Sequence, residues 1–167
     1  MRIDAFEAVR NIPYHIALNE SETSANCVAK SRKLAKRLAS LGLETREIIC
    51  SFAWEESPLP ADILALPRDH DETHLFLQVL IPESGNWVSV DPTWNPELSK
   101  LGFQIAEWNG LNDTNIAVKP HRIYSPEETV AKLRGYQSDP LGFEIHMQKH
   151  CAFYKSINEW LDMARVS

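Results

Sequence analysis

Between Cys27 and Gly42 the chain reads as an amphipathic helix. Cys27, Leu34, Leu38 and Leu41, with Ala35 beside them, recur at helical spacing, and Lys30, Arg32, Lys33, Lys36 and Arg37 crowd the other positions as a solvated face. Ser24 or Asn26 supplies the N-cap and Gly42 lies just past the C-terminus, so under either cap Cys27 sits in the first turn. A shorter helix is expected over Asp4 to Arg10, with Ile3, Phe6 and Val9 inward and Pro13 stopping it. Thr45 to Trp54 is rich in β-branched and aromatic residues and predicts a strand with Cys50 in the core. The two clearest strands are His74–Ile81 and Trp87–Asp91, joined by a short connection with Gly85 and so expected to pair antiparallel. Glu55 to Glu72, with Pro58, Pro60 and Pro67, predicts a long surface loop carrying one helical turn over Ala61–Leu66.

The C-terminal half is less periodic. Ile116–Val118 and Arg122–Tyr124 are expected as short strands flanking Pro120. Ser125-Pro-Glu-Glu128 marks a helix start, with a serine cap, proline at the first helical position and Glu128 placed for a capping box; Gly135 is its expected end. A last helix falls within Gly142 to Arg165, burying Tyr154, Ile157 and Leu161, with Trp160 beside them. Together these elements give one α+β domain over residues 1–167: a cysteine helix packed on an antiparallel sheet, with helices on the C-terminal side.

Composition narrows the function classes. The 44% hydrophobic and 24% charged residues are ordinary for a globular protein, and the formal charge of -6 argues against nucleic-acid binding. The first ten residues carry acids where a secretory signal needs an apolar core, and no apolar run reaches the length of a membrane span, so the expected location is the cytoplasm. Cys27, Cys50 and Cys151 form neither a disulfide framework nor a metal knuckle and are expected as reduced thiols.

A thiol in the first turn of a helix meets unpaired N–H groups and the positive end of the helix dipole, both of which favour thiolate. Used as a nucleophile it needs a base, and the base needs an orienting partner. His74 and Asp91 supply both if the hairpin pairs residues whose numbers total 165 or 167, because an odd total puts both side chains on one face. An even total separates them.

These residues resemble the transglutaminase-like superfamily, which shares the papain-like Cys-His-Asp arrangement. The resemblance runs from about Pro13 to Pro96. It is carried by Pro13-Tyr14, by Cys27 with Ala35, Leu38 and Leu41-Gly42-Leu43, by Thr45-Arg46, by His74-Leu75-Phe76 and, most specifically, by Trp87-Val-Ser-Val-Asp-Pro-Thr93. It implies a papain-like fold, with Cys27 as nucleophile, His74 as general base and acid, and Asp91 orienting His74. The glycine that commonly precedes the family cysteine is absent, its place taken by Ala25 and Asn26. The implied activity is hydrolysis or acyl transfer on an amide of a peptide or protein, through a thioester and with no cofactor. The Cys27 backbone N–H, with Asn26 or Tyr14, is the expected oxyanion donor set, and Trp94 is expected near the cleft. A noncatalytic domain that uses the same cleft to hold a peptide or protein is the alternative.

Two other polar clusters compete for attention. Asp69-His-Asp-Glu-Thr-His74 reads as a solvated acidic loop that favours basic over acidic substrates, rather than a metal site, because His74 begins a strand. His146 and His150 share a helical face next to Cys151, but the sequence offers them no third ligand, so no metal is expected there.

Overall fold

Residues 1–166 are described here from a computed structural model. In chain order the elements are α1 (Arg2–Arg10), α2 (Cys27–Ser40), β1 (Thr45–Ala53), a 3-10 turn (Trp54–Glu56), a single turn α3 (Ala61–Leu64), β2 (Asp71–Ile81), β3 (Asn86–Val90), a second 3-10 segment (Pro96–Leu101), β4 (Arg122–Ile123), α4 (Pro126–Gln137) and α5 (Pro140–Val166). The four strands form one antiparallel sheet in the order β3-β2-β1-β4. The architecture is α+β. Among the described residues no helix is long and apolar enough to cross a membrane.

Side-chain alternation along β2 builds the core. Leu77, Val79 and Ile81, with Val88 and Val90 of β3, meet Leu34 and Leu38 of α2 and Phe6 and Val9 of α1. Phe76 points the other way, to Ile48 and Cys50. A further cluster joins Tyr14, Phe52, Trp54, Trp94 and Phe103 to Phe153, Ile157 and Leu161 of α5. Each fully buried leucine contributes roughly 1.5–3 kcal/mol of transfer free energy.

Local signals set the helix boundaries. Asn26, not Ser24, caps α2: its side chain accepts from Ala29 N–H at 3.0 Å, while the Ser24 hydroxyl accepts from Asn26 N–H at 3.4 Å. Cys27 is therefore the first residue of the helix. Gly42 adopts φ 79°, which a side chain would resist, and closes α2 as expected. The Ser125–Glu128 capping box forms in full.

Several expectations fail for identifiable reasons. The α4 helix continues through Gly135 to Gln137, because one glycine costs an otherwise good helix only about 1 kcal/mol. Ile116–Val118 forms no strand; its backbone serves Asp91 instead, as described below. Leu41, counted on the buried face, is the C-cap and is 37% exposed. Lys30, counted on the solvated face, is 1% exposed.

Candidate active site

The strand register decides whether the two polar residues of the hairpin meet. Leu77 pairs with Val90 and Val79 with Val88, an odd total of 167, so His74 and Asp91 share a face as diagonal neighbours. Both are buried, and His74 Nε2 lies 2.6 Å from Asp91 Oδ2. A carboxylate only accepts, so Nε2 carries a proton, and Nδ1 is the nitrogen left for another partner. The Cys27 thiol is the other group acting on the ring, both as a charge and as a hydrogen-bond partner. Ser31 Oγ donates to Leu75 O at 3.3 Å, which fixes the first turns of α2 one residue from His74.

Asp91 is held at all sides. After Val90 the chain leaves the ladder, and Asp91 N–H donates to Thr114 Oγ1 at 3.0 Å. Its Oδ1 accepts from Thr93 N–H (3.1 Å) and Thr93 Oγ1 (2.5 Å), and its Oδ2 accepts from Ala117 N–H (2.8 Å) in addition to His74. Burial pushes the Asp91 pKa up, but His74, Thr93 and Ala117 together bring it below the ordinary carboxylate value. For His74 burial favours the neutral ring, and the Asp91 charge, with Cys27, outweighs it, so the pKa is raised. The imidazole is thus poised to accept a proton on Nδ1 and hold it.

Tyr14 reaches the same place by another route. The lead-in pairs with the residues just ahead of Cys27 through His15 and Ala25, whose N–H groups each donate to the other's carbonyl. Tyr14 N–H donates to Asn95 Oδ1, Arg165 donates to Tyr14 O, and the Asn158 amide exchanges two bonds with Ile16. The Tyr14 ring is buried 4.7 Å from that of Trp94. Burial first, then the charges of Cys27, Glu72 and Asp91, hold its hydroxyl pKa well above the usual value, which keeps the O–H as a donor. Asn26 spends its side-chain oxygen on the cap and keeps its amide N–H groups. Trp94 packs against Tyr14, buried, with its Nε1 donating to Ala117 O.

A cleft of about 730 Å³ opens beside His74, walled by Val28 and Arg32 of α2, Glu72 and Leu75 of β2, Leu133 and Tyr136 of α4, and Phe143, His146 and Tyr154 of α5. Glu72 is fixed on its wall by Trp54 Nε1–H and the Tyr154 hydroxyl. The sequence pointed to neither this pair nor the α4–α5 wall, because only tertiary packing brings them to β2. The same holds for Asn95, Asn158 and Arg165, whose polar character alone says nothing of what they bond.

The acidic loop supplies the ligand that His146 and His150 lacked in the sequence: Asp69 comes within 4.8 Å of both rings. His150 and the Asp69 carboxylate are already committed, however, and His146 Nδ1 stands 3.8 Å from Asp69 Oδ2. His150 Nδ1 donates to His146 O at 2.8 Å and its Nε2 accepts from Asp69 N–H at 2.9 Å, while Lys149 pairs with the Asp69 carboxylate. His146 Nε2 bonds the Tyr154 hydroxyl at 2.8 Å. The cluster is a hydrogen-bonded clasp between the loop and α5. Cys50, opposite His74 across β1 and β2, is buried, and burial pushes its thiol up to about 12.

No family model, curated protein or solved structure matches the chain.

Proposed function

We propose that this chain is a cysteine-nucleophile enzyme of the transglutaminase-like, papain-like kind, acting on the carbonyl of a peptide-like amide. The observation that carries the reading is the buried imidazole whose Nε2–H is given to Asp91 at 2.6 Å while its other nitrogen is left to the thiol at the start of α2. In the reaction the Cys27 proton passes to His74 Nδ1 and the sulfur attacks the carbonyl carbon. The resulting oxyanion takes hydrogen bonds from the Cys27 N–H and from Asn26 or Tyr14. His74 returns the proton to the leaving amine, the C–N bond breaks and a thioester remains. Water, or an amine, then attacks the thioester; His74 takes the incoming proton, and the thiol is regenerated as the C–S bond breaks. Asp91 keeps the proton on Nε2 throughout.

The test is iodoacetamide labelling read peptide by peptide at pH 6, in wild type and His74→Ala. Cys27, only partly exposed, is expected to label faster than fully exposed Cys151, with the advantage lost in the variant. Labelling of Cys27 no faster than Cys151, and indifferent to His74, leaves the cleft as a binding site without catalysis.

A further inference from the structure

A lysine in the first turns of α2 has left the solvent. Lys30 lies one turn after Cys27, on the same side of the helix, and its ammonium has three N–H donors. All three are used: Nζ donates to Arg10 O at 2.8 Å, to Ile12 O at 2.7 Å and to Thr93 O at 2.8 Å. The acceptors come from three segments with no ladder of their own there, namely the end of α1, the lead-in to Tyr14, and the turn after Asp91. A leucine at this position would continue the apolar stripe but would take the donor from one buried and two part-buried carbonyls.

The third bond leads into the site. Thr93, whose carbonyl Lys30 holds, gives its own N–H and hydroxyl to Asp91 Oδ1, and the other oxygen of that carboxylate holds His74. We infer that Lys30 is a positioning residue: through Thr93 it keeps the Asp91 turn, and hence the His74 ring, in register with the helix that presents Cys27. The inference rests on the enzymatic reading above. The charged groups around the ammonium are Asp91 at the end of β3, Arg10 on α1, Arg165 on α5 and Glu97 in the second 3-10 segment. Burial lowers the Lys30 pKa to about 7, helped by Arg165 and Arg10 and opposed by Asp91 and Glu97. A neutral amine keeps only two N–H donors for three carbonyls, so the clamp is weakest in alkaline solution.

The experiment compares Lys30→Met with Leu38→Ala, a core truncation on the same helix that destabilises the fold without touching the three carbonyls. Two readouts are taken at pH 6: the Cys27 labelling rate relative to Cys151, and the low-field proton resonance of the His74 Nε2–H shared with Asp91. Lys30→Met is expected to slow Cys27 at least tenfold and to move or erase the resonance, while Leu38→Ala leaves both near wild type. Lys30→Arg, which keeps charge and donors, is expected to restore part of the rate. Should Lys30→Met not fold, Lys30→Gln carries the same comparison, because it keeps two N–H donors without the charge. Fast labelling and an unmoved resonance in the Lys30 variant, or equal losses in Leu38→Ala, overturn the assignment while the enzymatic reading stands. A wild type whose Cys27 labels no faster than Cys151 overturns both.

Discussion

The cleft has two histidine clusters along its wall, built from the same residue types and wired in opposite ways. At His74 one nitrogen is committed to a buried carboxylate and the other faces a thiol, and the Asp91 charge raises the ring's pKa against its burial. At His146 and His150 three of the four nitrogens are taken up by a backbone carbonyl, a backbone N–H and a tyrosine hydroxyl; burial and the neighbouring His150 push the His146 pKa down. A histidine with a carboxylate nearby is therefore not in itself a reactive site. What distinguishes His74 is a carboxylate hydrogen-bonded to one nitrogen at 2.6 Å, where those near His146 and His150 stand 3.4–3.8 Å away, and a thiol rather than a structural group on the other.

The largest effect that can break this contrast is at His74. His74→Ala is expected to lower Cys27 labelling at pH 6, and turnover once a substrate is found, by roughly 10²- to 10⁴-fold, the usual span for a lost general base. His150→Ala should leave both within about twofold. If His150→Ala matches His74→Ala, the distinction between the two clusters is lost.

Asp91→Asn comes next. It removes the largest of the charges that raise His74 against its burial, so the ring's pKa should fall from its raised value, as followed by its Cε1 resonance. An unshifted titration in the variant refutes the ion-pair account. The pair also makes stability depend on pH. Because the folded His74 pKa is raised, its contribution is fully present below the unfolded value of about 6.5 and fades as pH climbs through the raised value. Because the folded Asp91 pKa is lowered, its contribution is present above about 3.9 and fades as pH drops through the lowered value. Urea unfolding should thus show the gap between wild type and His74→Gln narrowing from pH 6 to pH 9.

A smaller effect sharpens the other side. His150→Ala leaves Asp69 N–H without its acceptor and removes a buried ring, and should cost about 1–3 kcal/mol in denaturant unfolding. Added zinc should leave wild-type unfolding unchanged, since both His150 nitrogens and the Asp69 carboxylate are already committed; a saturable zinc-dependent rise in stability would make the clasp a metal site after all. Smallest is Cys50→Ala, expected to cost about 1 kcal/mol through a small cavity and to leave Cys27 labelling unaltered.

Much of the site was legible because it follows from local rules. The hairpin was legible, and with it the condition that an odd total puts His74 and Asp91 on one face; that the total is 167 came from the strand register. The cap was legible in kind, Ser24 or Asn26, but choosing between them needs the backbone angles of the residue that actually leaves the helix. Ile116–Val118 looks like a strand by composition, yet Ala117 N–H is drawn to the Asp91 carboxylate. Lys30 falls on the buried stripe by spacing, four residues before Leu34, but its charge and its solvated neighbours Arg32, Lys33, Lys36 and Arg37 argue for solvent, and only three distant carbonyls make its burial tolerable. Asp69 and His150 stand 81 residues apart, a proximity that no local pattern encodes.

The lead-in beside Cys27 is stapled by residues from the far end of the chain: Ile16 by Asn158, 142 residues later, and Tyr14 by Arg165, 151 residues later. Contacts of such separation form late, after the intervening loop entropy has been overcome. On a ribosome, a nascent chain emerging from its N-terminus exposes Cys27 long before Asn158 or Arg165 has been synthesised. The bonds from Asn158 and Arg165 that hold the lead-in can thus form only once translation has passed residue 165.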